Sequence, residues 1–167
     1  MISHVISAMI AWFGTDAQRI HHFLKVYAFS KAIAEAEKVD EKTAQIIDLA
    51  ALTHDIGIKP SEEKYQSASG HYQQLEGPGP AREMLLKEGI DPNIVERVCY
   101  LIAHHHTYTD IVGIDYQILV EADFLVNIHE GEMATTEIAS IRKNIFRTST
   151  GLAYLHTMYP AAGEGQQ

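Results

Sequence analysis

The chain sets an imidazole and a carboxylate side by side at the end of an apolar run, in LAALTHDIGIKP, Leu49 to Pro60. Neutral imidazole and ionised carboxylate are ligands of hard-to-borderline divalent metals. Neighbouring residues on a helix point about 100° apart. His54 and Asp55 therefore reach one ion only where the helix ends and the backbone opens, which Gly57 permits. Taken alone, the dipeptide reads more readily as a helix-terminal histidine beside an exposed aspartate than as a ligand pair. Three other places change that reading. His21 and His22 sit together inside an earlier helical pattern; adjacent side chains diverge, so one can face a cavity while the other is solvated. YLIAHHHTY puts His104, His105 and His106 at the end of an apolar helix, where each buried imidazole needs its own hydrogen-bond partner. ILVEADFLVN surrounds Asp123 with Leu119, Val120, Leu125 and Val126. An unpaired carboxylate there costs on the order of several kcal/mol. A metal cation is one remedy and an Arg or Lys the other, and few basic residues lie near that segment.

The elements that must bring these groups together read as helices joined by short loops. Residues 15–39 carry Ile20, Phe23, Leu24, Tyr27, Ala28 and Ala32 at helical spacing, with Thr15 or Asp16 as N-cap. Residues 40–55 repeat the pattern through Ile46, Ile47, Ala50 and Ala51, and Gly57 and Pro60 mark its end. A helix opens after Pro78 and stops at Gly89. Residues 91–107 begin with an Asp cap and a Pro at the first helical position. Residues 115–130 and 136–146 complete the set. Alternating strand patterns are absent apart from DIVGIDY, which a loop explains equally well. The expected fold class is all-α, with one domain over 1–160 and a flexible tail at 161–167.

The 167 residues suffice for a sizeable core, and the single cysteine, Cys99, precludes an internal disulfide. With no bilayer-length apolar run and no signal-like start, a cytoplasmic, soluble protein is expected. Thirteen basic against 22 acidic residues give a net charge of −9, which disfavours long nucleic acids as partners but admits a small phosphorylated ligand. Homo-oligomerisation stays open. Lys59 and Arg82 follow the His-Asp dipeptide and the Gly/Pro-rich loop, and either can hold a substrate phosphate or lie solvated on the surface.

The order His22, His54-Asp55, Asp123, in the contexts HHFLKV, LAALTHDIG and VEADFL, resembles the HD-domain metal-dependent phosphohydrolase superfamily over most of the chain. The resemblance implies an HD-domain helical bundle with a divalent transition metal (Mn, Fe, Co, Ni or Zn) held by His22, His54, Asp55 and Asp123. Members with two ions take further ligands from intervening segments. The matching histidine pair here is His104 and His105, with His106 the lesser alternative. The other position falls on Glu76 or, equally, His71. The implied chemistry is metal-activated hydrolysis of a phosphate ester or anhydride of a small, nucleotide-like substrate. Asp55 is the catalytic carboxylate, and Lys59, or His105 if it is not a ligand, serves the leaving group. The Gly-Tyr-Pro signature of the cyclic-dinucleotide subgroup is absent. A non-catalytic metal- or nucleotide-binding sensor and a di-iron oxygenase of the same fold are the alternatives.

Overall fold

The computed structural model describes residues 1–161, and within them no strand is present. The helices run α1 (Ile2–Phe13), α2 (Ala17–Ala36), α3 (Glu41–Thr53), a 3₁₀ turn (His54–Gly57), α4 (Ile58–Tyr65), α5 (Gly70–Glu76), α6 (Pro78–Lys87), α7 (Pro92–Ile102), α8 (Ile114–Glu130), α9 (Thr135–Asn144) and α10 (Ser149–Met158). The chain is thus an all-α helical bundle.

Helix α3 is the axis of the molecule. From Ile46 to Thr53 it has no polar face, and all eight residues are buried, as expected of a helix packed on several sides. It contacts α1, α2, α7 and α8, and α2 also packs along α8. The starts are fixed by short polar side chains. Asp16 accepts a hydrogen bond from Arg19 N at 3.1 Å, and Asp40 from Thr43 N at 3.1 Å. Asp91 accepts from Asn93 N at 2.8 Å, with Pro92 just inside the helix. The start of α8 is clamped by Arg97, which grips both oxygens of Asp115 at 2.7 Å and the Val112 carbonyl at 2.7 Å.

Four helices lie where the sequence patterns predict none. α1 buries Val5, Met9 and Phe13, one per turn, so the apolar lead segment is a packed helix. Pro60 does not end a helix but sits in the first turn of α4, where its missing N–H costs nothing. The short α5 lies between α4 and α6, and α10 occupies most of the hydroxyl-rich segment at 146–160. DIVGIDY is a loop running into α8. The expected tail at 161–167 falls, from residue 162 onward, outside the described residues.

The α10 helix is tied down by a buried carboxylate. Glu121 on α8 is fully buried and accepts from Arg147 N at 2.6 Å, Thr148 N at 2.9 Å, Thr148 Oγ1 at 2.5 Å and Gln117 Nε2 at 2.7 Å. The carboxylate neighbouring the chemistry-bearing one in VEAD thus has a structural use.

Candidate metal centre

The site forms where α2, the end of α3, the end of α7 and the middle of α8 converge. Helix α3 tightens into the 3₁₀ turn at His54, which brings the His54 ring and the Asp55 carboxylate together at 3.4 Å. Gly57 is needed there for a different reason from backbone opening. A Cβ on it would lie 2.4 Å from the Gln73 carbonyl and 2.8 Å from Gly77 N, so the missing side chain lets α5 and α6 close over the turn. Gly70 does the same for His106, whose ring would be 2.7 Å from an added Cβ.

His22 Nε2 stands 3.3 Å from His54 Nε2, 3.2 Å from Asp123 Oδ1 and 3.4 Å from Asp55 Oδ2. His54 Nε2 is 3.4 Å from Asp55 Oδ1 and 3.7 Å from Asp123 Oδ1, and His105 Nε2 is 3.7 Å from Asp55 Oδ1. Two groups of side chains have the spacing of metal ligands, His22–His54–Asp123 and Asp55–His105–His106. His21, as its divergence from His22 requires, is exposed.

The hydrogen bonds on the far side of each ring set what the near side offers. His54 Nδ1 lies 2.9 Å from the Ala51 carbonyl and His105 Nδ1 2.7 Å from the Ile102 carbonyl. A carbonyl only accepts, so both Nδ1 atoms carry hydrogen. His22 Nδ1 faces Glu130 Oε2 at 2.7 Å and donates in the same way. With hydrogen held on Nδ1, each of the three rings turns its Nε2 toward a space already bordered by two carboxylates, and offers a lone pair there once Nε2 gives up any proton. His105 Nε2 is buried with no hydrogen-bond partner among the described residues. Two carboxylates facing three inward Nε2 atoms call for positive charge between them, from a proton on Nε2 or from a metal ion, and imidazole plus carboxylate is the donor set of a borderline divalent ion. The residues present fit such an ion.

The electrostatics agree. Burial alone pushes His22 down, but the hydrogen bond to Asp123 and the charges of Asp55 and Asp123 outweigh it and raise the imidazole to about 9. Burial pushes the carboxyls of Asp55 and Asp123 up, yet the facing histidines hold both well below the usual carboxylate range. Burial, helped by the neighbouring His105, lowers His106 to about 4, which keeps it neutral. Asp123 finds its partners in His22, His54 and the Asn127 amide at 2.8 Å, with no Arg or Lys involved.

Several expected ligands lie elsewhere. His104 turns away, its Nδ1 donating to the Tyr100 carbonyl at 2.7 Å and its ring stacked on Tyr100 at 4.2 Å. His105 and His106, not His104 and His105, supply the second group. Glu76 is held by Lys64 and by the Tyr65 hydroxyl at 2.8 Å, and belongs to neither ligand group. His71 is exposed beside Tyr72. Lys59 is exposed and reaches the Trp12 carbonyl at 3.3 Å. Arg82 forms a two-pronged pair with Glu96 at 2.8 and 2.9 Å. Neither lines the cavity.

That cavity, about 310 Å³, is lined by residues that include Arg19, Gln73, Asn127 and Glu130 beside the expected ligands. Arg19 is the one Arg or Lys in the lining; its guanidinium meets Glu62 at 3.0 and 2.5 Å and Asp16 at 3.3 Å. Helical spacing from His22 and Asp123 is the signal that finds Arg19, Asn127 and Glu130, since Arg19 precedes His22 by one turn, and Asn127 and Glu130 follow Asp123 by one and two turns.

Residues 19–144 match the model of the HD domain, and the chain belongs to that family. HD domains bind divalent metals, and the two groups above are where this chain would hold one. The structure is similar to the crystal structure of a predicted HD superfamily hydrolase from an uncultured Thermotogales bacterium, at 26% identity and a TM-score of 0.65, over 95% of this chain and 83% of that one. No curated protein sequence matches the chain.

Proposed function

We propose that the protein is a divalent-metal-dependent hydrolase, and within that class a phosphohydrolase that cleaves a phosphate ester or anhydride of a small, nucleotide-like metabolite. The observation that carries the reading is that the Nε2 atoms of His22, His54 and His105 each lie within 3.7 Å of an oxygen of Asp55 or Asp123, beside a cavity that His22, Asp55 and Asp123 line. A divalent ion held by His22, His54 and Asp123, or by Asp55, His105 and His106, would supply a water of lowered pKa and positive charge to offset that of a phosphoryl group. Asp55 faces both ligand groups, one oxygen toward His22 and the other toward His54 and His105. It stays ionised and orients the attacking water. His105 Nε2, facing Asp55 without a partner, is placed to carry a proton if the second group holds no ion. Arg19, at the cavity wall, takes the anion-binding role in place of Lys59 and Arg82, through charge-assisted hydrogen bonds. The acidic surface and the 310 Å³ cavity favour a small substrate over a polymer.

The test uses untagged protein, stripped of metal and reloaded with Mn, against bis-(p-nitrophenyl) phosphate, p-nitrophenyl phosphate and nucleotides. Turnover is expected with metal and not with EDTA, and Asp55→Ala abolishes it while helical content is retained. Full activity in Asp55→Ala, or stoichiometric metal with no turnover of any phosphate ester or anhydride, overturns the reading; the second result leaves a metal-binding sensor.

A further inference from the structure

The three inward-facing imidazoles are oriented in two different ways. His54 and His105 each donate to a carbonyl three residues back, at the end of the helix just before them, and no side-chain substitution removes that acceptor. His22 donates instead to Glu130, which comes from α8 and is 108 positions away in sequence. Glu130 lies two turns beyond Asp123 on the same helix, with Asn127 between them on the same stripe, and all three line the cavity. Helix α8 thus grips the His22 ring from both sides, Asp123 at Nε2 and Glu130 at Nδ1. The second oxygen of Glu130 accepts from Lys25 Nζ at 2.5 Å. Lys25 is on α2, one turn after His22, so the arrangement closes on itself.

We propose that Glu130, held by Lys25, is a positioning residue for the metal centre. It keeps hydrogen on His22 Nδ1 and so keeps the Nε2 lone pair aimed at the ion, and its charge makes that lone pair a better donor. Lys25 fixes the Glu130 rotamer by taking one oxygen and leaving the other for the imidazole. This rests on the metal-centre reading above, not on the choice of substrate.

The arrangement makes an unusual ordering of variants. In Glu130→Gln the carboxamide offers one oxygen and one NH₂ group. The Lys25 ammonium can only donate, so it takes the oxygen. The NH₂ then faces His22 Nδ1, which must present its lone pair there and carry its hydrogen on Nε2, where the ion belongs. Glu130→Ala simply leaves Nδ1–H to water. Lys25→Met combined with Glu130→Gln frees the amide oxygen to turn back to Nδ1–H. A side chain that only fills space or stabilises the fold gives no such recovery.

The experiment measures Zn and Mn dissociation constants of the metal-stripped whole chain by competition with a chromophoric chelator, with thermal melts of each metal-free variant. Loss of an outer partner of a metal-bound histidine typically weakens binding by about 10–100-fold. Glu130→Gln should fall near the upper end, Glu130→Ala near the lower, and Lys25→Met below both. The double variant should recover about tenfold over Glu130→Gln, against the additive expectation. Wild-type affinity in Glu130→Gln, or a double variant no tighter than Glu130→Gln, overturns the proposal, as does a wild type that binds neither ion. If the ordering appears but no phosphate ester turns over, the proposal stands and the phosphohydrolase reading falls.

Discussion

His22 is pulled two ways: burial opposes its positive charge, while Asp55, Asp123 and Glu130 favour it. The carboxylates win and lift it from 6.5 to about 9. In metal-free protein a proton therefore stands where the cation belongs. Because the folded value is raised, the associated stability is fully present below pH 6.5 and is lost as pH rises through about 9. A shift of that size corresponds to on the order of 3 kcal/mol. Asp55 and Asp123 act with the opposite sign, their contribution present above their ordinary 3.8 and lost as pH falls below it. Urea unfolding of metal-free protein should accordingly show stability declining between pH 6.5 and 9; a flat profile across that window contradicts the cluster described here. Arg19 is the second residue-scale case. Held by Glu62 and Asp16 at the cavity wall, it touches no metal ligand through a hydrogen bond of its own. Arg19→Gln should raise KM for an anionic substrate about tenfold or more, the magnitude of a lost charge-assisted hydrogen bond, while metal content stays stoichiometric. Unchanged KM removes it from substrate binding. His22, His54, Asp55 and Asp123 were legible because each sets a polar group in an apolar helical stretch, a local contradiction visible without coordinates. Glu130 and Arg19 carry no such contradiction. They lie on ordinary amphipathic surfaces, and only their distance in helical turns from the ligands distinguishes them, while Gln73 sits on α5, which bears no ligand.

Elements show why some local signals misled. Among the three consecutive histidines after α7, the resemblance points to His104 and His105, with His106 the lesser alternative, one residue earlier than the pair the fold turns inward. The helix ends at Ile102, and the tighter turn that follows swings His104 out against Tyr100 and brings His105 and His106 inward. Glu76 failed for another reason: α4 and α5 pack as neighbours, which delivers Lys64 and Tyr65 to its carboxylate. Neither helix is long enough to show a clear period. The turn after α3 was correctly placed, but its glycine serves contact rather than backbone freedom. Gly57→Ala tests this. Its Cβ would meet only backbone atoms, at 2.4 to 2.9 Å, which cannot rotate away, so a loss of about 3 kcal/mol is expected. Metal affinity should fall with it, since His54 and Asp55 ride on the displaced turn. A variant as stable as wild type shows that α5 yields easily. Glu121→Ala makes a separate point at the other end of α8. It strands two backbone N–H groups at the start of α10 and should cost at least about 2 kcal/mol. The metal centre should be undisturbed, because Glu121 and Asp123 project to different sides of the helix.

Across the whole molecule, the centre is assembled from α2, the turn after α3, the segment after α7, and α8. These positions span His22 to Asp123 and meet only in the folded chain. The unfolded chain has no equivalent site, so a bound divalent ion must stabilise the entire fold and not one corner of it. At a free ion concentration a hundred times the dissociation constant, the gain is about 2.7 kcal/mol. For a chain of this length that is a rise in melting temperature of about 5–10 °C. The helices that supply the ligands also form the core through α3, so the melting transition should shift as a unit when EDTA removes the ion. Proton and ion compete for His22 Nε2. At pH 6 the ion must displace a proton held by a group that titrates near 9, and at pH 8.5 it displaces far less of one. The metal-induced shift at fixed total Mn should therefore be clearly larger at pH 8.5 than at pH 6. Calorimetric scans at the two pH values, with and without EDTA, measure it directly. Equal shifts would mean that the ion does not share the His22 nitrogen with the proton, and a shift confined to a minor early transition would mean that the ligating helices are not one cooperative unit.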